Sequence, residues 1–197
     1  MVTSQRARET TQTATHTAGH TATDTATRDA ALTFVDRALD HTTARLPDVD
    51  RDAMAMVLLL HRVTNTIVYD LESTVHRPIG WSWAAFRAAF TLWISGPLEP
   101  SRLAELSGMS RQAVSALAKT LEADGLVARS TATNDARSIL LELTPIGAER
   151  LEQAFLHHNR REAEWAAVLD PDERAQLTRL LTKLADAAHD PWVNHRF

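Results

Sequence analysis

Apolar side chains recur at steps of three and four over most of the chain and alternate over only one short stretch. Ala31, Phe34, Val35, Ala38 and Leu39 follow the helical step, and Pro47 closes that segment. A longer helix is expected over residues 51–75, striped by Met54, Val57, Leu58, His61, Asn65, Val68 and Leu71. That stripe is broad and partly polar, as on helices that face a partner. Pro78 and Gly80 break the chain. Trp83, Phe86, Phe90 and Trp93 then fall on one face of a helix within residues 81–95, which Gly96 and Pro97 end. Further on, Thr144 suits an N-cap and Pro145 the first helical position of a helix running to about residue 169. Asp170-Pro171-Asp172-Glu173 opens another with a capping box, and Leu177, Leu180, Leu181 and Leu184 supply its stripe. Long helices at both ends of a small domain cannot all bury their stripes within one chain. Pairing in a dimer resolves this.

Residues 98–144 are the most informative. Two short helices, 101–107 and 111–122, are separated by a tight turn. Ala104 is small enough for the second helix to cross closely, and Gly108 permits the positive φ that the turn needs. Val114 and Leu117 seat the second helix on the first, and Ser110 is its natural N-cap. This is a helix-turn-helix pattern, which places its second helix in a DNA major groove. The face left over offers Arg111, Gln112, Ser115, Ala116 and Lys119, side chains that read base edges or contact phosphates. Gly125 follows the helix end. Residues 126–129 read as a strand, 130–136 as a polar loop and 137–144 as a returning strand in which Ile139, Leu141 and Leu143 alternate with Leu140, Glu142 and Thr144. A helix-turn-helix followed by a hairpin is a winged helix. Arg137 stands at the wing, where a guanidinium can enter a minor groove, and Asp135 is placed to orient it.

These residues resemble the MarR family of bacterial transcription regulators. The likeness is carried by the run from Leu103 to Val114, by Leu121-Glu122-Ala123-Asp124-Gly125-Leu126-Val127-Ala128-Arg129, by the wing Asn134-Asp135-Ala136-Arg137-Ser138, and by the exit Leu143-Thr144-Pro145-Ile146-Gly147. The D-x-R wing followed by L-T-x-x-G is its specific part. The resemblance implies a mainly α fold with a small β-hairpin wing. A winged helix-turn-helix (81–144) would lie between N-terminal (29–80) and C-terminal (145–197) helices that interlock in a homodimer. It further implies a pseudo-palindromic operator of double-stranded DNA, most often repressed, and release by a small aromatic or phenolic, often anionic, ligand. Ser110, Arg111, Gln112, Ser115 and Lys119 match the recognition helix, and Arg129, Asp135 and Arg137 the wing. The aromatic helix sits where the family lines its ligand pocket. Arg87 is its only charged residue, four after Trp83 and three before Phe90, and a cation among aromatics suits an aromatic carboxylate. His61, Asn65 and Tyr69 on the preceding helix are further candidate lining residues.

Composition narrows the picture. Of the 197 residues none is Cys, which removes disulfides, thiolate metal sites, cysteine nucleophiles and the peroxide-sensing subtype of the family. Residues 1–28 hold ten Thr and five Ala and almost no large apolar side chain, so they are expected to stay disordered. His157 and His158 are adjacent and point apart on a helix, which argues against a shared metal. No cofactor or metal is expected. No apolar run approaches the ~20 residues of a membrane span, and no basic start leads into an apolar segment, so a cytoplasmic protein is expected. A catalytic pair, a Gly-rich phosphate loop and a metal-ligand pattern are all missing, which argues against an enzyme. The net charge is −4. Nucleic-acid binding must therefore rest on a local concentration of cations. The alternative is a winged helix that serves only a protein partner, for which Arg111, Gln112 and Arg137 would not matter.

Overall fold

The computed structural model describes residues 33–132, 135–188 and 190–193, with side chains at all of these except 132 and 135–137. The Thr-rich tail and the expected helix start at residues 29–32 lie outside the described residues. The chain forms two compact units, residues 1–65 and 66–197.

In the first unit, helix α1 (33–45) buries Val35 and Leu39 on one face. The Arg62 guanidinium lies 5.1 Å from the Phe34 ring centroid. Helix α2 (Arg51–Leu71) begins here, where Asp50 accepts from the Ala53 N–H at 2.9 Å. This carboxylate satisfies a donor that the first helical turn would otherwise leave unpaired. Met56, Val57, Leu59, Leu60 and Val63 on α2 are exposed.

The second unit takes up the end of α2. The expected helix to residue 75 changes character at Glu72. Glu72–His76 is a turn of π-helix and Arg77–Ile79 a turn of 3-10 helix, ended by Gly80 at φ 80°. Pro78 explains the break, since it has no N–H to donate. Helix α3 (Trp83–Ser95) starts at Ser82, whose side chain accepts from the Ala85 N–H. It buries Ala85, Phe86, Ala88, Ala89 and Leu92. Helices α4 (Pro100–Ser107) and α5 (Arg111–Ala123) follow. Strands β1 (Val127–Ala132) and β2 (Asp135–Leu143) pair antiparallel from Val127↔Leu143 to Thr131↔Ile139. The polar loop expected over 130–136 is therefore shorter. Ser130, Thr131 and Ala132 continue β1, and Asp135 and Ala136 already belong to β2. Cross-strand bonding outweighs the local turn preference there. Leu98 adds a third rung, with both backbone bonds to Leu141, at 3.0 and 2.8 Å.

Helices α6 (Pro145–Ala166) and α7 (Pro171–Ala187) end the unit. The entry to α6 explains the L-T-x-x-G motif physically. Thr144 N-caps α6 through the Gly147 N–H at 3.0 Å. Its hydroxyl donates to the Gly125 carbonyl at 2.7 Å and its N–H to the Leu126 carbonyl at 3.0 Å. Gly147 then passes so close to Leu126 that a Cβ would lie 2.0 Å from that carbonyl oxygen. At α7, Asp170 and Glu173 form the expected capping box. The core joins α3, α4, α5 and both strands to Leu151 of α6, with Phe155 packed against it. Helix α7 buries no side chain, and Leu177, Leu180, Leu181 and Leu184 are exposed.

Candidate nucleic-acid interface

The turn between α4 and α5 is built as the sequence suggests. Gly108 takes φ 64°, and the Met109 N–H donates to the Ala104 carbonyl at 2.9 Å. Ala104, Met109 and Val114 are buried where the helices cross. Ser110 caps α5 by accepting from the Ala113 N–H at 3.1 Å. Because Val114, Ala118 and Leu121 face inward, Arg111, Gln112, Ser115, Ala116 and Lys119 are presented together on the exposed side. Arg111, Gln112 and Lys119 make no side-chain hydrogen bond or ion pair among the described residues. They are uncommitted donors on a rigid helix.

The wing is fixed to this helix by charge. Arg129 on β1 donates through Nε to both carboxylate oxygens of Glu122 on α5, at 2.7 and 2.8 Å. Arg129 thus stands beside α5 as a brace. At the other edge, Ser138 on β2 donates to Glu99, the residue before α4, at 2.7 Å. The side chains of Asp135 and Arg137 lie outside the described residues, so the expected Asp135–Arg137 pair does too. An open groove of about 710 Å³ follows α4 to the start of α5, lined by Arg102, Glu105, Ser110 and Arg111 among others. Within it Arg102 and Glu105 pair at 2.6 Å.

Behind the helix-turn-helix, α3 and α6 share a run of rings. Phe90 stacks on Phe155 at 5.2 Å and on Phe86 at 5.8 Å. Trp83 stacks on His158 at 5.9 Å. The Arg87 guanidinium lies 5.9 Å from the Trp83 ring, and its Nε is buried with no hydrogen-bond partner. Its Nη1 is 3.8 Å from where a Cβ on Gly108 would sit, so Arg87 reaches from the rings to the helix-turn-helix turn. Arg87 thus lies beside Trp83, while Phe90 is linked to Trp83 through Phe86. His61 and Asn65 are exposed and hydrogen-bond each other at 2.9 Å, and Tyr69 is exposed with the Arg77 guanidinium 5.9 Å from its ring.

Two residues that the sequence did not single out, His76 and Asp70, meet α6. His76 is fully buried against Phe86, His158 and Trp83. Burial pushes its pKa down to about 4, with the charge of His158 adding to the effect. His158 is lowered by burial as well, although Glu162 opposes this. Asp70, at the end of α2, accepts two bonds from Arg161 at 2.7 Å and one from Trp165 at 2.8 Å. The Arg161 bonds hold its carboxyl below the usual range despite partial burial. Leu151, Ala154, His158, Arg161 and Trp165 follow three- and four-residue steps on α6, a signal that places the last three on its packed side.

A family model described as the MarR family matches residues 81–139. The chain is 33% identical over 138 residues to an uncharacterised HTH-type transcriptional regulator of Bacillus subtilis, YwaE, covering 70% of this chain and 81% of that protein. Among solved structures, BpsR of Bordetella bronchiseptica, described with regulation of its DNA binding by 6-hydroxynicotinic acid, superposes with TM-score 0.60 at 25% identity, over 66% of this chain and 91% of that one. A mutant Escherichia coli MarR complexed with operator DNA superposes with TM-score 0.61 at 24% identity, over 73% of this chain and 96% of that one. That second likeness is one of fold.

Proposed function

The chain belongs to the MarR family of transcriptional regulators, and from that premise we propose that it acts as a homodimeric repressor relieved by a small aromatic anion. The observation that carries the DNA half is the exposed, unpaired set Arg111, Gln112, Ser115 and Lys119 on a capped helix braced against a wing. Two copies related by a two-fold axis would address the two half-sites of a pseudo-palindromic operator in successive major grooves. Arg137 of each wing would enter the flanking minor groove. The dimer is supported by the exposed apolar residues of α2 and the four exposed leucines of α7, which a lone chain would leave in water. The effector would stack its ring on Trp83 and Phe90 and pair its anionic group with Arg87, whose buried Nε lacks a partner.

Fluorescence anisotropy with the DNA upstream of the protein's own gene tests this, with an unrelated duplex as control. Arg111, Lys119 and Arg137 from two subunits give six phosphate-neutralising cations, so log K should fall with log salt at a slope of about −5. Arg137→Ala should weaken operator binding at least tenfold, reduce that slope by about 2 and leave the melting temperature unchanged. Equal, weak and salt-insensitive binding to both duplexes would refute the DNA reading and favour a protein partner.

A further inference from the structure

We infer that His76 and His158 form a proton-operated latch that opens the turn between α2 and α3 when the surroundings acidify. The latch responds to protons and so goes beyond operator and effector binding. His76 is 0% exposed, and neither of its ring nitrogens has a hydrogen-bond partner. Its ring packs 4.3 Å from Phe86, 5.2 Å from His158 and 5.7 Å from Trp83. His158 is also buried, with Nδ1 unpartnered and Nε2 3.1 Å from Glu162. A neutral imidazole tolerates such a site at the cost of an unmade bond. A second N–H and a full charge there are far more costly.

The groups around the pair do not supply a counter-charge to His76. From α6 it meets His158, whose acidic partner among the described residues is Glu162, bonded to His158 Nε2. Arg161 on α6 is occupied by Asp70 and Glu164. From α3 it meets Trp83 and Phe86, and the charged group next to Trp83 is the Arg87 cation. On its own segment Glu72 pairs with Arg77 at 3.4 Å. A proton on His76 therefore faces a second histidine and aromatic rings. The backbone holding it is a π-helical turn followed by a 3-10 turn, with poorer hydrogen bonding than the α-helices on either side.

The sign follows from linkage. His76 takes its proton at about 4 when closed and near 6.5 once exposed to water. The open form therefore binds more protons between those values, and closure is lost as pH falls through that window. From His76 alone, opening is favoured roughly 20-fold at pH 5 and about 100-fold at pH 4 relative to pH 7. His158 acts in the same direction, less strongly because Glu162 favours its charged form.

Hydrogen–deuterium exchange of the full chain from pH 7.5 to 5, corrected for intrinsic rates, tests the latch together with far-UV circular dichroism and tryptophan fluorescence. The amides of residues 72–77, 79 and 80 should exchange at least tenfold faster at pH 5, helix content should hold, and emission should fall because Trp83 adjoins both imidazoles. His76→Phe, which keeps the ring and loses the titration, should flatten this response. His158→Gln, which can still bond Glu162, should shrink it. Unchanged exchange in the parent protein would overturn the latch, as would a full response in either variant, or loss of all helix signal at pH 5. None of these readouts needs DNA, so failure of the latch and failure of the operator reading are distinguishable.

Discussion

Replacing Gly147 by Ala sets two known effects against each other at one atom. Gly147 is the third residue of α6 and has ordinary helical dihedral angles, so alanine suits its backbone. On helix propensity alone the change should stabilise by about 1 kcal/mol. The added Cβ, however, would lie 2.0 Å from the Leu126 carbonyl oxygen and 2.9 Å from its carbon. That is more than about 1 Å inside van der Waals contact. Neither side can yield cheaply. Leu126 is 2% exposed, and its N–H is bonded to Leu121 at 2.9 Å. Its carbonyl accepts from Thr144 at 3.0 Å, and Thr144 in turn caps α6. Separating the two backbones therefore disturbs the cap as well as the packing. Overpacking of this kind costs about 1–3 kcal/mol, and a weakened backbone bond about 1 kcal/mol more. After subtracting the propensity gain, Gly147→Ala should destabilise by roughly 1–3 kcal/mol, lowering the melting temperature by about 2–12 °C. Urea unfolding monitored by circular dichroism measures it. Ala148→Gly, the neighbouring change in the opposite sense, calibrates the propensity effect at about 1 kcal/mol. A Gly147→Ala protein as stable as its parent would show that α6 does not pass Leu126 this closely, and the account of the motif would fall.

Two further changes separate bracing from binding. Glu122→Gln removes the charged acceptor of Arg129 from a partly exposed pair, so stability should change by under about 1 kcal/mol; operator affinity, read by anisotropy, should nonetheless fall several-fold because the wing is no longer held to α5, and unchanged affinity would remove the brace from the mechanism. Arg87→Ala should bind operator normally and fail to release it with aromatic carboxylates such as salicylate, whereas a variant that still releases like its parent would eliminate Arg87 as the anion partner.

The parts legible in the sequence are those where a residue solves a problem within a few positions of itself. Ser110 and Thr144 each accept an N–H three residues on, Asp170 and Glu173 satisfy each other, and Gly108 takes the left-handed turn. Burial on α5 followed from spacing because one face of a helix is set by its own period. On α3 the aromatic stripe is not the buried face: of Trp83, Phe86, Phe90 and Trp93 only Phe86 is buried, alongside Ala85, Ala88, Ala89 and Leu92. The wing was legible in kind but not in extent, because Thr131 is in a strand only by virtue of Ile139 across from it. Long-range partners left no local trace. Asp70 meets Arg161 and Trp165 across 91 and 95 positions. His76, between Val75 and Arg77-Pro78, has no periodic neighbours to mark it as buried. Arg129 shows the ambiguity of chemistry by type, since a guanidinium near a DNA face suits a phosphate and a carboxylate equally. Only the fold shows that Glu122 holds it.

That pairing bears on how a chain of net charge −4 serves a DNA-binding family. Around α5 two acidic residues are neutralised in place, Glu122 by Arg129 and Glu105 by Arg102. A close pair has no net charge and its field decays within a few ångströms, whereas an unpaired cation is felt over about a Debye length, roughly 8 Å at physiological salt. Arg111 and Lys119 are the residues of α5 left unpaired among those described, and both stand on its exposed face. Local pairing therefore leaves Arg111 and Lys119 as the uncompensated charges on the exposed face of α5. It also limits non-specific affinity, because only a few cations per subunit release counterions. On the proposed function, discrimination would then come from the fit of two braced helices to two half-sites rather than from bulk attraction, and the Glu122–Arg129 brace would matter more to recognition than its small contribution to stability suggests.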